Sequence, residues 1–130
     1  MQNNDLIEAL VLQKKLYSGF TEVFDLSRQL AEAIDRQDTV SVRMLIGMRQ
    51  DPINRLAEIR GSLVEKISAL PPEDGERLRA LLNGGAAQGP AESQLAEQVA
   101  VNQRLLDKLL ALDKRLNQKI GDKKSLFCAR

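Results

Sequence analysis

The stretch DLIEALVLQKKLYSGFTEVFDLSRQLAEAID, residues 5 to 35, contains one glycine and no proline, and its apolar residues recur at alternating spacings of four and three. One line runs through Ala9, Leu16, Phe20, Val23, Leu30 and Ile34; a second, stepping by seven, runs beside it through Leu10, Tyr17, Phe24 and Ala31. Residues three, four and seven apart share a face of an α-helix, so the two lines predict one wide apolar face on an amphipathic helix of about thirty residues, about 45 Å long. That length exceeds an ordinary globular helix and argues for a bundle or a coiled coil. Ile7 and Val11 fall outside the stripe, where they are candidates to meet a second chain or the tail.

Working outward, Asp35 to Asp38 is a short polar turn, and Asp38 is placed to cap a second helix from Thr39 to about Leu70. Its apolar line includes Val42, Leu45, Leu56, Leu63 and Leu70, interrupted by Pro52. A proline inside a helix removes a hydrogen bond and clashes with the preceding turn, at about 3 kcal/mol unless the chain bends. The stripe keeps its phase across Pro52, which favours a kinked continuous rod over two stacked helices. Pro71-Pro72 ends it, and a short helix carrying Leu78, Leu81 and Leu82 follows, closed by Gly84. Residues 83–90 hold three glycines and two alanines and read as a flexible linker. A last long helix then starts near Pro90 or Ser93 and runs to Ile120, ending at Gly121. Its apolar residues, from Leu95 to Ile120, wind through an arc of about 180°, wider than the stripe of about 100° that one neighbour needs. The expectation is an all-α chain: an elongated antiparallel bundle of three long helices, the second kinked near Pro52, with one short helix before the linker. Residues 1–130 form a single domain with a basic, partly apolar tail at 121–130.

Composition restricts the function. The 130 residues are 43% hydrophobic and 28% charged, with no His, no Trp and one Cys. Without His, neither a Ser-His-Asp or Cys-His nucleophile nor a His-bearing metal site can be built, and the chain is read as a non-enzyme with no cofactor. A net charge of +1 gives no field to gather nucleic acid or an anionic membrane. A lone Cys128, an N-terminus without a basic signal-peptide start and the lack of any stretch near 20 apolar residues point to the cytoplasm without membrane insertion.

The remaining candidates divide between structure and recognition. The acidic residues Glu73, Asp74, Glu76, Asp35 and Asp38 sit in expected turns or first helical turns, where capping accounts for them better than acid-base chemistry, and a carboxylate-only metal site is the weakest reading. Arg43, Arg49, Arg55 and Arg60, interleaved with Asp51 and Glu58, read as a solvated helix face. Tyr17, Phe20 and Phe24 read as core. Asn102 lies in line with Leu95 and Leu106, where a register-setting buried polar residue is preferred over a hydrogen bond to a client; Asp113 reads as the place where the core face opens to water. Leu126, Phe127 and Cys128, after a charged break, are either a segment folded back on the bundle or an exposed adhesive end.

With Leu30-Ala31-Glu32-Ala33-Ile34-Asp35 ending the first helix, Leu45, Arg49 and Leu56 through Leu63 in the second, and Val99, Asn102, Leu105-Leu106 and Leu109 to Leu116 in the last, the chain resembles the FlgN-type flagellar export chaperones. The resemblance implies a cytoplasmic chaperone that binds the C-terminal helical segment of hook-associated (hook-filament junction) proteins and keeps them monomeric for type III secretion. It implies recognition along the last helix and tail. Leu105, Leu109, Leu112 and Leu116 would form an exposed line, with Asn102 beside it and Ile120, Leu126 and Phe127 extending it. The residues themselves leave a different reading open: a structural or adaptor bundle that self-associates, as a homodimer, through its surplus apolar surface.

Overall fold

The computed structural model describes residues 1–122, so Leu126, Phe127 and Cys128 lie outside the described residues. The chain is all-α, with α1 (Asn3–Asp35), α2 (Thr39–Ala69), α3 (Pro72–Leu82) and α4 (Pro90–Asp122), and no strand among the described residues. α2 is one helix that passes through Pro52, whose ring is buried.

Nine of the twelve buried positions of α1, namely Leu6, Ala9, Gln13, Leu16, Phe20, Val23, Ser27, Leu30 and Ile34, alternate three and four residues apart, and Gly19, Leu26 and Ala33 flank them. This heptad seam makes α1 the central element: it packs against both α2 and α4. α2 runs opposite to α1. Lys66 near its end donates to Asp5 and Glu8 at the start of α1, Arg55 pairs with Glu22 at 2.8 Å, and Val42 and Leu45 at its start join Leu30 and Ile34. α4 runs in the same sense as α1: Leu95 packs with Leu6 and Ala9, Leu109 with Phe20 and Val23, and Lys119 reaches Asp35 at 2.6 Å. The short α3 inserts Leu78 and Leu81 beside Leu6, Ala9, Leu95 and Val99, so it is a fourth helix at one end of the molecule only.

The turns follow from local chemistry. At the end of α1 the N–H groups of Gln37 and Asp38 donate back to the carbonyls of Ile34 and Ala33, with Gln37 at φ +58° in the left-handed position. Asp38 then caps α2 through the Ser41 N–H at 3.1 Å and hydroxyl at 2.6 Å, contacts that hold its carboxyl below the ordinary range. α3 closes the same way: Gly84, at φ +94°, and Gly85 donate to Leu81 and Ala80.

The non-helical residues 83–89 are crossed by Arg77, whose guanidinium donates to both oxygens of Glu92 and to the Ala86 carbonyl at 2.8 Å. Glu92 also accepts from the Gln88 N–H. Arg77 is the chief cause that holds the Glu92 carboxyl below its usual range, against the opposing effect of burial. A carboxyl depressed in the fold stabilises above its unfolded pKa, and the benefit is lost as the pH falls through the folded value. Glu92→Gln therefore lowers the melting temperature at about pH 7, where Glu is ionised in the unfolded chain, and the gap to wild type is narrower at about pH 3, below the unfolded pKa. Thermal melts at the two pH values check this; an undiminished gap at the lower pH contradicts it.

Candidate functional site

Between α2 and α4 lies a groove of about 570 Å³, within the size range of sites that take apolar groups. Its floor is α1, through Gln13, Leu16, Phe20 and Val23. The α2 wall carries Arg49, Ile53, Leu56, Arg60 and Leu63, and the α4 wall Val99, Asn102, Leu106, Leu109 and Leu110. From Val99 to Asp113 the α4 wall is about 21 Å long at 1.5 Å per residue, or about four helical turns.

Each end has a stop. At one, α3 fills the space between α2 and α4, and its last residue Leu82 and the following Asn83 face the opening. At the other, Arg49 Nη2 donates to Asp113 Oδ1 at 2.8 Å, joining α2 to α4, and beyond it Val42 and Leu45 of α2 meet Leu112 and Leu116 of α4 on the α1 side chains. Between the stops the lips carry exposed apolar residues, Ile53 at 38% and Leu110 at 56% of their full exposure. α2 approaches α1 closely beneath them because Gly19 has no side chain: a Cβ there would stand 2.6 Å from Leu56 Cδ2.

Polar groups are placed sparingly. Asn102 is buried, its amide nitrogen donating to the Gln13 backbone carbonyl at 2.8 Å and to Gln13 Oε1 at 2.7 Å, while its oxygen accepts from Gln98. Arg49 is only 16% exposed, and its buried Nε has no acceptor among the described residues. A second buried atom without a partner is Ser27 Oγ, in the α1 seam. Among the described residues no group of three or more His, Cys, Asp or Glu side chains is placed to hold a metal ion. No described helix is long and apolar enough to cross a membrane.

Against the sequence expectations, the structure redraws the apolar face of α4. The exposed line expected at Leu109, Leu112 and Leu116 is not exposed: all three are buried, Leu109 under the groove and the other two where α1 and α2 converge. Leu105 and Ile120 are partly buried against the same clusters. Of the expected partner-facing residues, the groove brings together Asn102 and Leu109, and it adds Leu106 and Leu110. Arg49, expected on a solvated face, turns inward, because it occupies the seam position between Leu45 and Pro52. Tyr17 is exposed and stands apart from Phe20 and the partly buried Phe24. Ile7 and Val11 are exposed beside Ala69 in a second cleft of about 650 Å³ over the α1–α2 seam, which also holds Asp5, Glu8, Glu65 and Lys66.

No family model matches the chain, and no curated protein or solved structure matches it either.

The Gln13–Asn102 contact makes a sharp stability prediction. Asn102→Ala leaves Gln13 buried without its donor and costs about 1–3 kcal/mol. Replacing both partners by leucine removes the unsatisfied groups and recovers most of that loss. Urea denaturation of the single and double variants checks this; a double variant less stable than Asn102→Ala contradicts it.

Proposed function

We propose that this protein is a small non-enzymatic chaperone that holds an amphipathic helix of a protein client in the groove between α2 and α4. The observation that carries the reading is the groove itself: an apolar channel about four turns long, stopped at both ends and lipped by Ile53 and Leu110. A docked helix would continue the line of α3 and complete a four-helix cross-section where the chain supplies three. The three long helices act together as one elongated antiparallel bundle in this reading. The client, following the resemblance to FlgN-type chaperones, is the C-terminal helical segment of a hook-associated protein, kept monomeric in the cytoplasm for type III export. The client surface is then Asn102, Leu106, Leu109 and Leu110 with the facing residues of α2, and the Leu112–Leu116 end supports it from within.

The second cleft favours an alternative: Ile7 and Val11, at 56% and 46% exposure, offer an apolar edge through which the bundle self-associates. Sedimentation across a concentration series separates the two, since a client-binding monomer keeps one mass.

Co-expression with hook-associated C-terminal fragments tests the main reading. Ile53→Asp and Leu110→Asp change exposed lip residues, preserve the fold and weaken capture by about tenfold or more, since a desolvated charge in an apolar contact costs several kcal/mol. Val64→Asp, on an exposed α2 residue that does not line the groove, leaves capture unchanged. Equal capture by all three variants overturns the proposed site.

A further inference from the structure

The α2 wall of the groove has a charge pattern that specifies its occupant more narrowly than apolar fit does. Arg49 and Arg60 both line the groove and lie eleven residues apart. Eleven residues turn an α-helix through about three full turns, so the two side chains leave α2 within about 20° of each other and about 16 Å apart along the axis. Ile53 and Leu56 lie between them on the same strip, which reads cation, apolar, apolar, cation.

Neither cation is fully used among the described residues. Arg49 gives one terminal nitrogen to Asp113, and its buried Nε has no acceptor among the described residues. Arg60 is exposed and makes no ion pair among the described residues. On the opposite wall the groove lining has a single acid, Asp113, already engaged by Arg49; the other α4 residues there are apolar or amide.

Resting on the client-helix reading above, we infer that the groove selects an amphipathic helix whose apolar face is bordered by two carboxylates about three turns apart, one meeting Arg49 and the other Arg60. An incoming carboxylate at Arg49 adds a second anionic partner to a guanidinium that keeps Nη2 on Asp113. The second carboxylate at Arg60 sets the distance. Together they fix the register of the client along the groove, a task that four turns of apolar contact leave loosely defined. Apolar helices that lack the acids are accepted weakly, which is how a chaperone with a greasy channel avoids holding every exposed helix it meets.

The test uses the full chain and two fluorescein-labelled model peptides of about twenty-two residues, identical in their leucine face. One carries Glu at two positions eleven apart beside that face, the other Gln. Fluorescence anisotropy at about 150 mM salt is expected to show the Glu peptide binding about tenfold more tightly, with the preference shrinking at about 1 M salt as screening shortens to about 3 Å. Arg60→Glu, an exposed change, is expected to abolish the Arg60 share of the preference and to favour a peptide with Lys at that site. Arg49→Lys, which keeps the charge but deletes the planar guanidinium fork, is expected to lower the preference as well. Equal binding of the Glu and Gln peptides, both lost in Leu110→Asp, overturns the charge selection and leaves the groove reading standing. No binding of either peptide, or binding unaffected by Leu110→Asp, overturns both. Self-association of the chain that Arg60→Glu abolishes also overturns the inference, because the occupant would then be a second copy.

Discussion

The buried amide contact between Asn102 and Gln13 is the constraint on which the rest of the arrangement depends. Two long helices with leucine-rich seams can slide past one another by a heptad at little cost, since each leucine finds another leucine. An asparagine in the seam cannot. Its donor must find the Gln13 carbonyl oxygens, and any other register buries it unsatisfied. The offset of 89 positions that joins Gln13 to Asn102 is the same offset that relates Leu6 to Leu95 and Phe20 to Leu109, pairs that share clusters on either side of the amide. With α4 fixed to α1 in this way, Lys119 arrives at Asp35 and Leu95 at Ala9 without further specification.

α2 is fixed to α1 by a separate set of contacts: Lys66 between Asp5 and Glu8, Arg55 on Glu22, and Leu56 pressed onto Gly19. Because each outer helix is anchored to α1 on its own account, α2 and α4 need not pack against each other along their middles. They are joined at the ends, through α3 at one and through Arg49–Asp113 with the Val42, Leu45, Leu112 and Leu116 layer at the other, while in the middle Leu56, Leu63 and Leu109 gather over Leu16, Phe20 and Val23 of α1. The groove is the consequence of that division of labour. Its floor remains apolar because the α1 seam continues beneath it, and Arg49 turns inward because α2 keeps its own seam in phase through Pro52, while Arg60 stands exposed on the same wall. A fourth helix entering the channel would add apolar burial, which is the thermodynamic basis of the proposed reversible hold on a client.

Much of this was legible in the residues. The long helices, the Asp38 cap, the stop at Pro71-Pro72 and the Gly84 closure follow from periodicity and turn chemistry, and each is local. What was not legible is partner assignment. The apolar arc of α4 is wide enough to announce two contacts, but arc width alone does not say which leucines meet a neighbour and which meet an opening; Leu112 and Leu116 are buried because both α1 and α2 reach them, and Leu110 is left out because neither does. Arg49 was hidden by composition, sitting among other arginines that do face solvent; the signal that finds it is the three-four spacing of Val42, Leu45, Arg49, Pro52 and Leu56, in which a charge occupies a seam position. Asp113 carries the matching signal between Leu109 and Leu116, and two charges of opposite sign in two seams are a pair that sequence alone suggests only once both seams are written out.

The central claim is that α1 holds α2 and α4 apart across the middle of the molecule while the ends stay joined. Nuclear Overhauser contacts between selectively labelled Ile, Leu and Val methyl groups of the full chain test this most directly. The account predicts contacts from Leu109 to Val23, from Leu95 to Leu6 and from Leu112 or Leu116 to Val42 and Leu45, with none between Ile53 and Leu110 across the groove. Strong Ile53–Leu110 contacts, with those from Leu109 to Val23 missing, would show α2 closed onto α4 and would contradict it.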